Sequence, residues 1–290
     1  MLVKTLIASA LAATAFGVSI PKSGHMSCGT APPTAAQLAA HKAMAITEEK
    51  TGAAKRSPAS VQYIDTYVHV VSNSSDSSTA PNWYLSRAQI DSQMAVLNQY
   101  FNGTGYQYTL KDVDWTVNAI WAVTATDDST TAMKTALRKG NYQTLNLYYV
   151  TDISGSHTNT GFCNFPFANA SSRAGWLASD GCVMSAWTAP GGDSPWFSTG
   201  RITVHEVGHW HNLLHTFEGD SCTGTGDLVS DTPAQRSASS GCPTGRDSCP
   251  RLAGLDPINN HMDYTDDTCK TEFTPGQIAR MQSSWTTYRA

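Results

Sequence analysis

Between residues 205 and 215 the chain reads His-Glu-Val-Gly-His-Trp-His-Asn-Leu-Leu-His. On a helix, His205 and His209 are four residues apart and project from one face. Two imidazoles at that spacing can grip one Zn²⁺, with Glu206 placed to polarise a metal-activated water. His215 lies six residues beyond His209 and leaves that face unless the helix stops and the chain turns back. As a third protein ligand it would keep the fourth position of a tetrahedral zinc open, as catalysis needs. With nine histidines in 290 residues, shuffled chains carry this pattern at a rate on the order of 10⁻⁴, so accident explains it poorly. A zinc peptidase site is the implied reading. A surface helix rich in His is the bland alternative, and a site that binds zinc without catalysis stays open.

The rest of the composition bounds where such a site works. Lys4, the apolar stretch Leu6 to Phe16 and the small residues Ala13 and Ala15 read as a secretory signal peptide over residues 1–18. No other stretch is apolar enough to cross a bilayer, so the expectation is a secreted, extracellular protein with no membrane partner. A net charge of −4, 14% charged residues and no basic block argue against nucleic acid. Export makes three sequons candidate glycan sites, at Asn73, Asn102 and Asn169. Seven cysteines in an exported chain suggest three disulfides and one remaining thiol. Cys28 stands alone near the N-terminus, while Cys163, Cys182, Cys222, Cys242, Cys249 and Cys269 all lie in the second half.

Residues 19–56, rich in Ala, Pro, Ser, Thr and Lys, read as a pro-segment with one weak helix around Ala35 to Glu49. It ends at the dibasic pair Lys55-Arg56, and a flexible linker is the competing reading. The catalytic domain is then 57–290. Within it, Tyr63 to Ser72, Trp115 to Val123, Leu145 to Val150 and Cys182 to Trp187 have strand character. Ser86 to Phe101 and Thr130 to Lys139 have helical spacing, with Ser86 as N-cap of the first. The order β-α-β-α-β-β before the histidine run predicts an α/β sheet stacked on helices. Phe217 to Pro257 is a long irregular stretch that needs disulfides for stability. Thr274, Pro275 and Gln277 form a capping box with Pro at the first helical position, so a C-terminal helix follows.

The histidine run together with Asn260-His261-Met262-Asp263-Tyr264 resembles the metzincin clan of zinc peptidases. His205 to Phe217, Ser230-Asp231-Thr232-Pro233 and Met262 to Asp267 resemble the pappalysin family, in particular its small secreted fungal metalloproteases. The resemblance covers most of the chain after about residue 60 and is specific from 201 to 283. It implies an α+β, two-lobed catalytic domain. The upper lobe would hold a twisted, mostly parallel mixed sheet with helices. The lower would be irregular, disulfide-stapled and closed by the C-terminal helix.

By the same resemblance His205, His209 and His215 hold the zinc, Glu206 is general base, Met262 forms a turn beneath the metal and Tyr264 donates to the oxyanion. Asn212 stands where metzincins commonly have Gly, and Asn tolerates the positive φ that a sharp helix end requires. His211 points away by phase, to the surface or a supporting position, and His261 is ambiguous. The family's bridges correspond to Cys222–Cys249 and Cys242–Cys269, leaving Cys163–Cys182. Cys28-Gly29 resembles a latency switch in which a thiolate takes the place of water on zinc; an idle or intermolecular thiol is the alternative.

Oxygens of Asp227, Val229 and Thr232 offer a candidate Ca²⁺ loop. Asp266 and Asp267 are candidates for the pocket that takes the residue after the scissile bond, favouring a basic side chain, or else are solvated loop acids. The expected whole is a monomeric, secreted zinc endopeptidase acting on protein or peptide substrates, the strand near Cys182 to Trp187 pairing with substrate backbone. Two alternatives stand beside it: a catalytically idle zinc-binding protein of the same fold, and a zinc peptidase with a distant carboxylate ligand in which His215 is dispensable.

Overall fold

The computed structural model describes residues 26–55, 58, 60–75, 84–124, 127–154, 158–172 and 174–290. The expected signal peptide and Arg56 of the dibasic pair lie outside the described residues. The centre is a five-stranded sheet of β1 (Gln62–Ser72), β2 (Tyr106–Val117), β3 (Leu145–Val150), β4 (Gly161–Cys163) and β5 (Cys182–Ser185). Its spatial order is β2-β1-β3-β5-β4, parallel throughout except that β4 runs antiparallel to β5. The sequence Leu-Asn-Leu-Tyr-Tyr-Val of β3 is buried at every position, as expected of a parallel strand covered on both faces.

Alternation along these strands divides the interior. Val68, Val70, Leu147 and Tyr149 meet Ile90, Met94 and Leu97 of α2 (Arg87–Tyr100) and Ile202, Val204 and Val207 of α5 (Arg201–Trp210). On the opposite face Val71, Tyr148, Val150 and Val183 pack with Met133 of α3 (Asp127–Leu137). Helix α2 starts at a capping box formed by Ser86 and Gln89. Helix α4 (Ala174–Ser179) is a short element between β4 and β5.

The strands differ from the sequence reading chiefly at β2 and β4, and β5 ends at Ser185 rather than Trp187. The second strand covers Tyr106 to Val117 rather than Trp115 to Val123, because Asn118 ends it. The Asn118 side chain accepts from the amides of Ile120 and Trp121, and its carbonyl from that of Ala122. The early part of β2 escapes a hydrophobic count because this edge strand carries the exposed Lys111 and Asp112. The three-residue β4 has too little pattern to register at all.

Beyond α5 the chain is irregular until α6 (Pro275–Tyr288), which opens with the Thr274–Gln277 capping box and Pro275. Three disulfides are formed, Cys163–Cys182 between β4 and β5 and Cys222–Cys249 and Cys242–Cys269 in the irregular half. Helix α1 (Ala35–Thr51) of the N-terminal segment lies against α6. Asn73, Asn102 and Asn169 are all at the surface, and no described helix is long and apolar enough to cross a membrane.

Candidate metal centre

Helix α5 carries the first two histidines and stops where the third becomes reachable. Asn212 adopts φ 72°. Its amide donates to the His209 carbonyl at 2.8 Å, and the Leu213 amide reaches the Gly208 carbonyl at 3.0 Å. This is a Schellman closure with Asn in the left-handed position. The chain thereby reverses and brings His215 back beside its neighbours. His209 Nε2 lies 3.2 Å from His205 Nε2 and 3.1 Å from His215 Nε2.

The outward nitrogens set the tautomers. His205 Nδ1 donates to the His261 carbonyl and His209 Nδ1 to the Leu213 carbonyl, each at 2.7 Å, which leaves their Nε2 lone pairs facing inward. Burial lowers the proton affinity of all three imidazoles, that of His209 down to about 4. Three unprotonated nitrogens aimed at one point repel unless a cation sits among them. Three imidazoles with a fourth side open to a further donor suit Zn²⁺. That fourth side is faced by Cys28, which with the three histidines forms the one metal-competent cluster among the described residues, all donor atoms within 4.8 Å.

Cys28 Sγ lies 3.5 Å from His209 Nε2 and 3.6 Å from Glu206 Oε2, and Thr30 Oγ1 donates to the same Glu206 oxygen at 3.3 Å. Burial and the adjacent Glu206 push the thiol up from its ordinary value. Glu206 is 0% exposed, and that burial pushes its carboxyl up to about 8. A Cβ at Gly161 of β4 would lie 2.9 Å from the Glu206 side chain, so the strand can pass this close only as glycine.

Beneath the histidines, a Cβ at Gly208 would sit 2.4 Å from Met262 Sδ, so Met262 rests on the helix backbone itself. The turn that carries Met262 is tied to α6 by reciprocal amide bonds between Asn260 and Gln277, of 2.8 and 3.0 Å. Tyr264 stands beside the cluster, its ring centre 5.0 Å from that of His215 and 5.8 Å from that of His205. Burial raises its phenol, and Cys28 and Glu206 add to the rise. Asn260 and His261 lie in the stretch that carried the resemblance, but neither the Asn260–Gln277 pairing nor the part of the His261 carbonyl was signalled by it; the Thr-x-x-Gln capping box was the only sign that Gln277 had a structural task.

Several expectations change. The sheet edge beside the centre is β4, not the segment from Cys182 to Trp187, because β5 is flanked on both sides by β3 and β4. That edge is occupied by the N-terminal segment: Cys28 and Gly161 form a parallel bridge, Gly29 N–H donates to the Gly161 carbonyl and Thr160 N–H to the Ser27 carbonyl. His211 is not at the surface. It is 1% exposed, its Nε2 2.8 Å from Tyr108 Oη, caged by Phe101, Tyr106, Trp210 and Trp285.

Asp267 is not a solvated loop acid. It is fully buried and its Oδ2 accepts from Thr199 N and Oγ1 at 2.9 and 2.8 Å. In the candidate Ca²⁺ loop, Asp231 is occupied in capping α6 through Thr274 and Gly276, and the Leu228 carbonyl by Arg280. Asp227, pushed up to about 7 by burial, has a buried Oδ2 without a hydrogen bond. Thr232 Oγ1 is in the same state, and the Val229 carbonyl accepts from Thr232 N–H.

A sequence profile described as pregnancy-associated plasma protein-A, a metallopeptidase family, matches residues 129–285. An extracellular metalloprotease of Pyricularia oryzae is 50% identical over 91% of this chain and 89% of its own. That of Sordaria macrospora is 46% identical over 98% and 96%. Among solved structures, a promirolysin mutant of Tannerella forsythia superposes with TM-score 0.68 at 26% identity, covering 90% of this chain and 95% of its own. Mature mirolysin in complex with a cleaved peptide gives TM-score 0.63 at 27% identity, over 78% and 92%.

Proposed function

The chain belongs to the pappalysin family of metzincin metalloproteases, and on that premise we propose that it is a secreted zinc endopeptidase made as a latent precursor. The observation that carries this reading is the convergence of three Nε2 atoms within 3.2 Å steps of one another, with Glu206 on the same helix. His205, His209 and His215 would hold the ion. Zinc, when bound, supplies Lewis-acid polarisation of the scissile carbonyl and of the attacking water. Glu206 accepts the water's proton at Oε2 and later passes it to the leaving amine nitrogen. Tyr264 Oη donates to the oxygen on which negative charge develops. The β4 edge holds the substrate backbone in extended form, which fixes the scissile bond over the centre.

Latency follows from what occupies the site. Residues 26–30 lie along β4 where substrate would lie, and the Cys28 thiol faces the position the attacking water needs. In support, the mirolysin precursor covers 90% of this chain whereas the mature enzyme covers 78%, as expected if the N-terminal segment is removed. Secretion is supported by the signal-like N-terminus, the disulfides and the extracellular relatives.

The test uses matured enzyme and a casein-type substrate. Glu206→Gln should retain one zinc per chain by metal analysis and lose about 10²-fold or more in kcat; near-parental turnover would overturn the assignment. The idle-protein alternative predicts no chelator-sensitive turnover in the parent. Precursor carrying Cys28→Ser should cleave before processing, and a variant as latent as the parent would refute the thiol's part.

A further inference from the structure

One buried cation beside the centre has no part in the chemistry above. Lys270 is 0% exposed. Its Nζ lies 3.3 Å from the Met26 thioether, 3.9 Å from Asp267 Oδ1 and 5.5 Å from the centre of the Phe197 ring. Asp267 holds its other oxygen against Thr199, so among the described residues the thioether is the one acceptor within hydrogen-bond reach of the ammonium. Arg201 fixes the Lys270 backbone through its carbonyl at 2.8 Å. Burial lowers the Lys270 proton affinity, while Asp267, Asp263 and Asp266 counter that shift and favour the cation.

Met26 is two residues before Cys28 and only 5% exposed, packed in the main core cluster. Its side chain fills the space in front of Lys270, whose charge acts on both His205 and Glu206; once the segment is removed, that space is left as a pocket. The segment that carries Met26 runs parallel to β4, with Ser27 at Thr160 and Thr30 at Cys163. A substrate paired antiparallel to β4 runs the other way, so this pocket would receive the residue just after the scissile bond. Asp267 already neutralises part of the charge, so a second carboxylate gains little there. An incoming guanidinium or ammonium would meet a desolvated like charge.

We infer that Lys270 is the specificity-determining residue of this pocket, selecting a side chain of methionine or glutamine length with an uncharged acceptor near its end and rejecting arginine and lysine. This rests on the endopeptidase reading, and it reverses the preference for basic residues expected from Asp266 and Asp267.

Matured enzyme should be profiled on a peptide library varied after the scissile bond, with kcat/KM read by mass spectrometry. Gln and Met should exceed Arg and Lys by at least about tenfold. In Lys270→Met the discrimination against Arg and Lys, read as kcat/KM ratios to the same variant's Leu peptide, should shrink to within about threefold. A basic preference in the parent, or an unchanged profile in Lys270→Met, would overturn the inference while leaving the endopeptidase reading intact. Failure to cleave any peptide would sink that reading itself. Should Lys270→Met not fold, peptides of residues 24–34 can be assayed as inhibitors of the parent enzyme. Met26→Arg should weaken inhibition at least about tenfold relative to Met26→Gln, and equal inhibition constants would refute the role of Lys270.

Discussion

At the scale of single residues, the centre depends on a glycine that its helix would be better without. Gly in a helix interior costs about 0.5–1 kcal/mol relative to Ala, yet a Cβ at Gly208 would meet Met262 Sδ at 2.4 Å. Met262 is 0% exposed and its turn is tied to α6, so it has nowhere to retreat. Gly208→Ala should therefore destabilise by about 1–3 kcal/mol, the usual range for overpacking, against the sign of helix propensity. It should also lose zinc faster to a chelator. Equilibrium denaturation and timed metal release check both, and a variant as stable as the parent would show that Met262 is free to move. The clustering of His205, His209 and His215 was legible because their spacing is local, and the turn at Asn212 because its task is set by backbone φ alone. Lys270 was not legible. Its meaning comes from Met26, 244 residues away, and no local pattern records that contact. His211 was misplaced for a related reason: the aromatic cage that buries it is built mostly by distant elements, with Phe101 after α2, Tyr106 from β2 and Trp285 from α6 joining Trp210.

At the scale of elements, the N-terminal helix is held by one buried guanidinium. Arg280 of α6 is 1% exposed. It donates through Nε and one terminal nitrogen to Glu48 at 3.0 Å each, to His41 Nδ1 at 2.9 Å and to the Leu228 carbonyl at 2.7 Å. His41 accepts from a cation, so it is neutral when docked; burial first, then Arg280, lower its pKa to about 3. The folded value lies below the free value of about 6.5, so the undocked helix binds the extra proton. Docking is strongest above about pH 6.5 and weakens as pH falls toward 3. Hydrogen exchange of α1 in the precursor should accelerate across that window, and His41→Gln, which keeps an acceptor but does not titrate, should flatten the dependence. An equal slope in both proteins would remove His41 from the account. Glu48→Gln should loosen α1 at all pH values, by about 3 kcal/mol if Arg280 is left without its anion. Neither this anchor nor the sheet order was readable from the chain. The helix itself was, from its spacing, but its partner and the placement of β4 at the edge are long-range pairings that no strand pattern encodes.

At the scale of the whole molecule, the two halves are stabilised by different means. The sheet and its helices bury continuous apolar faces, whereas the stretch between α5 and α6 has almost no regular structure and lies under two disulfides, each closing 27 residues. A loop of that length gives about 3–4 kcal/mol of denatured-state entropy in the chain-closure account. The two bridges should not be equivalent for function. The Cys269 amide donates to the Asp266 carbonyl, one residue before Asp267, which ties this bridge to the segment between the Met262 turn and Lys270. Cys222 and Cys249 instead line a surface hollow with Thr223, Arg236 and Leu252. Replacing Cys242 and Cys269 together by Ala should thus lower stability by about 2–5 kcal/mol and weaken zinc retention with it. The Cys222/Cys249 pair replacement should lower stability by a similar amount, yet leave zinc binding and peptide turnover near the parent's at temperatures where the fold persists. Thermal unfolding and zinc stoichiometry on both variants decide this. Equal loss of zinc from the two would mean that the irregular half acts as one cooperative unit under the centre rather than as an inner support with an outer staple.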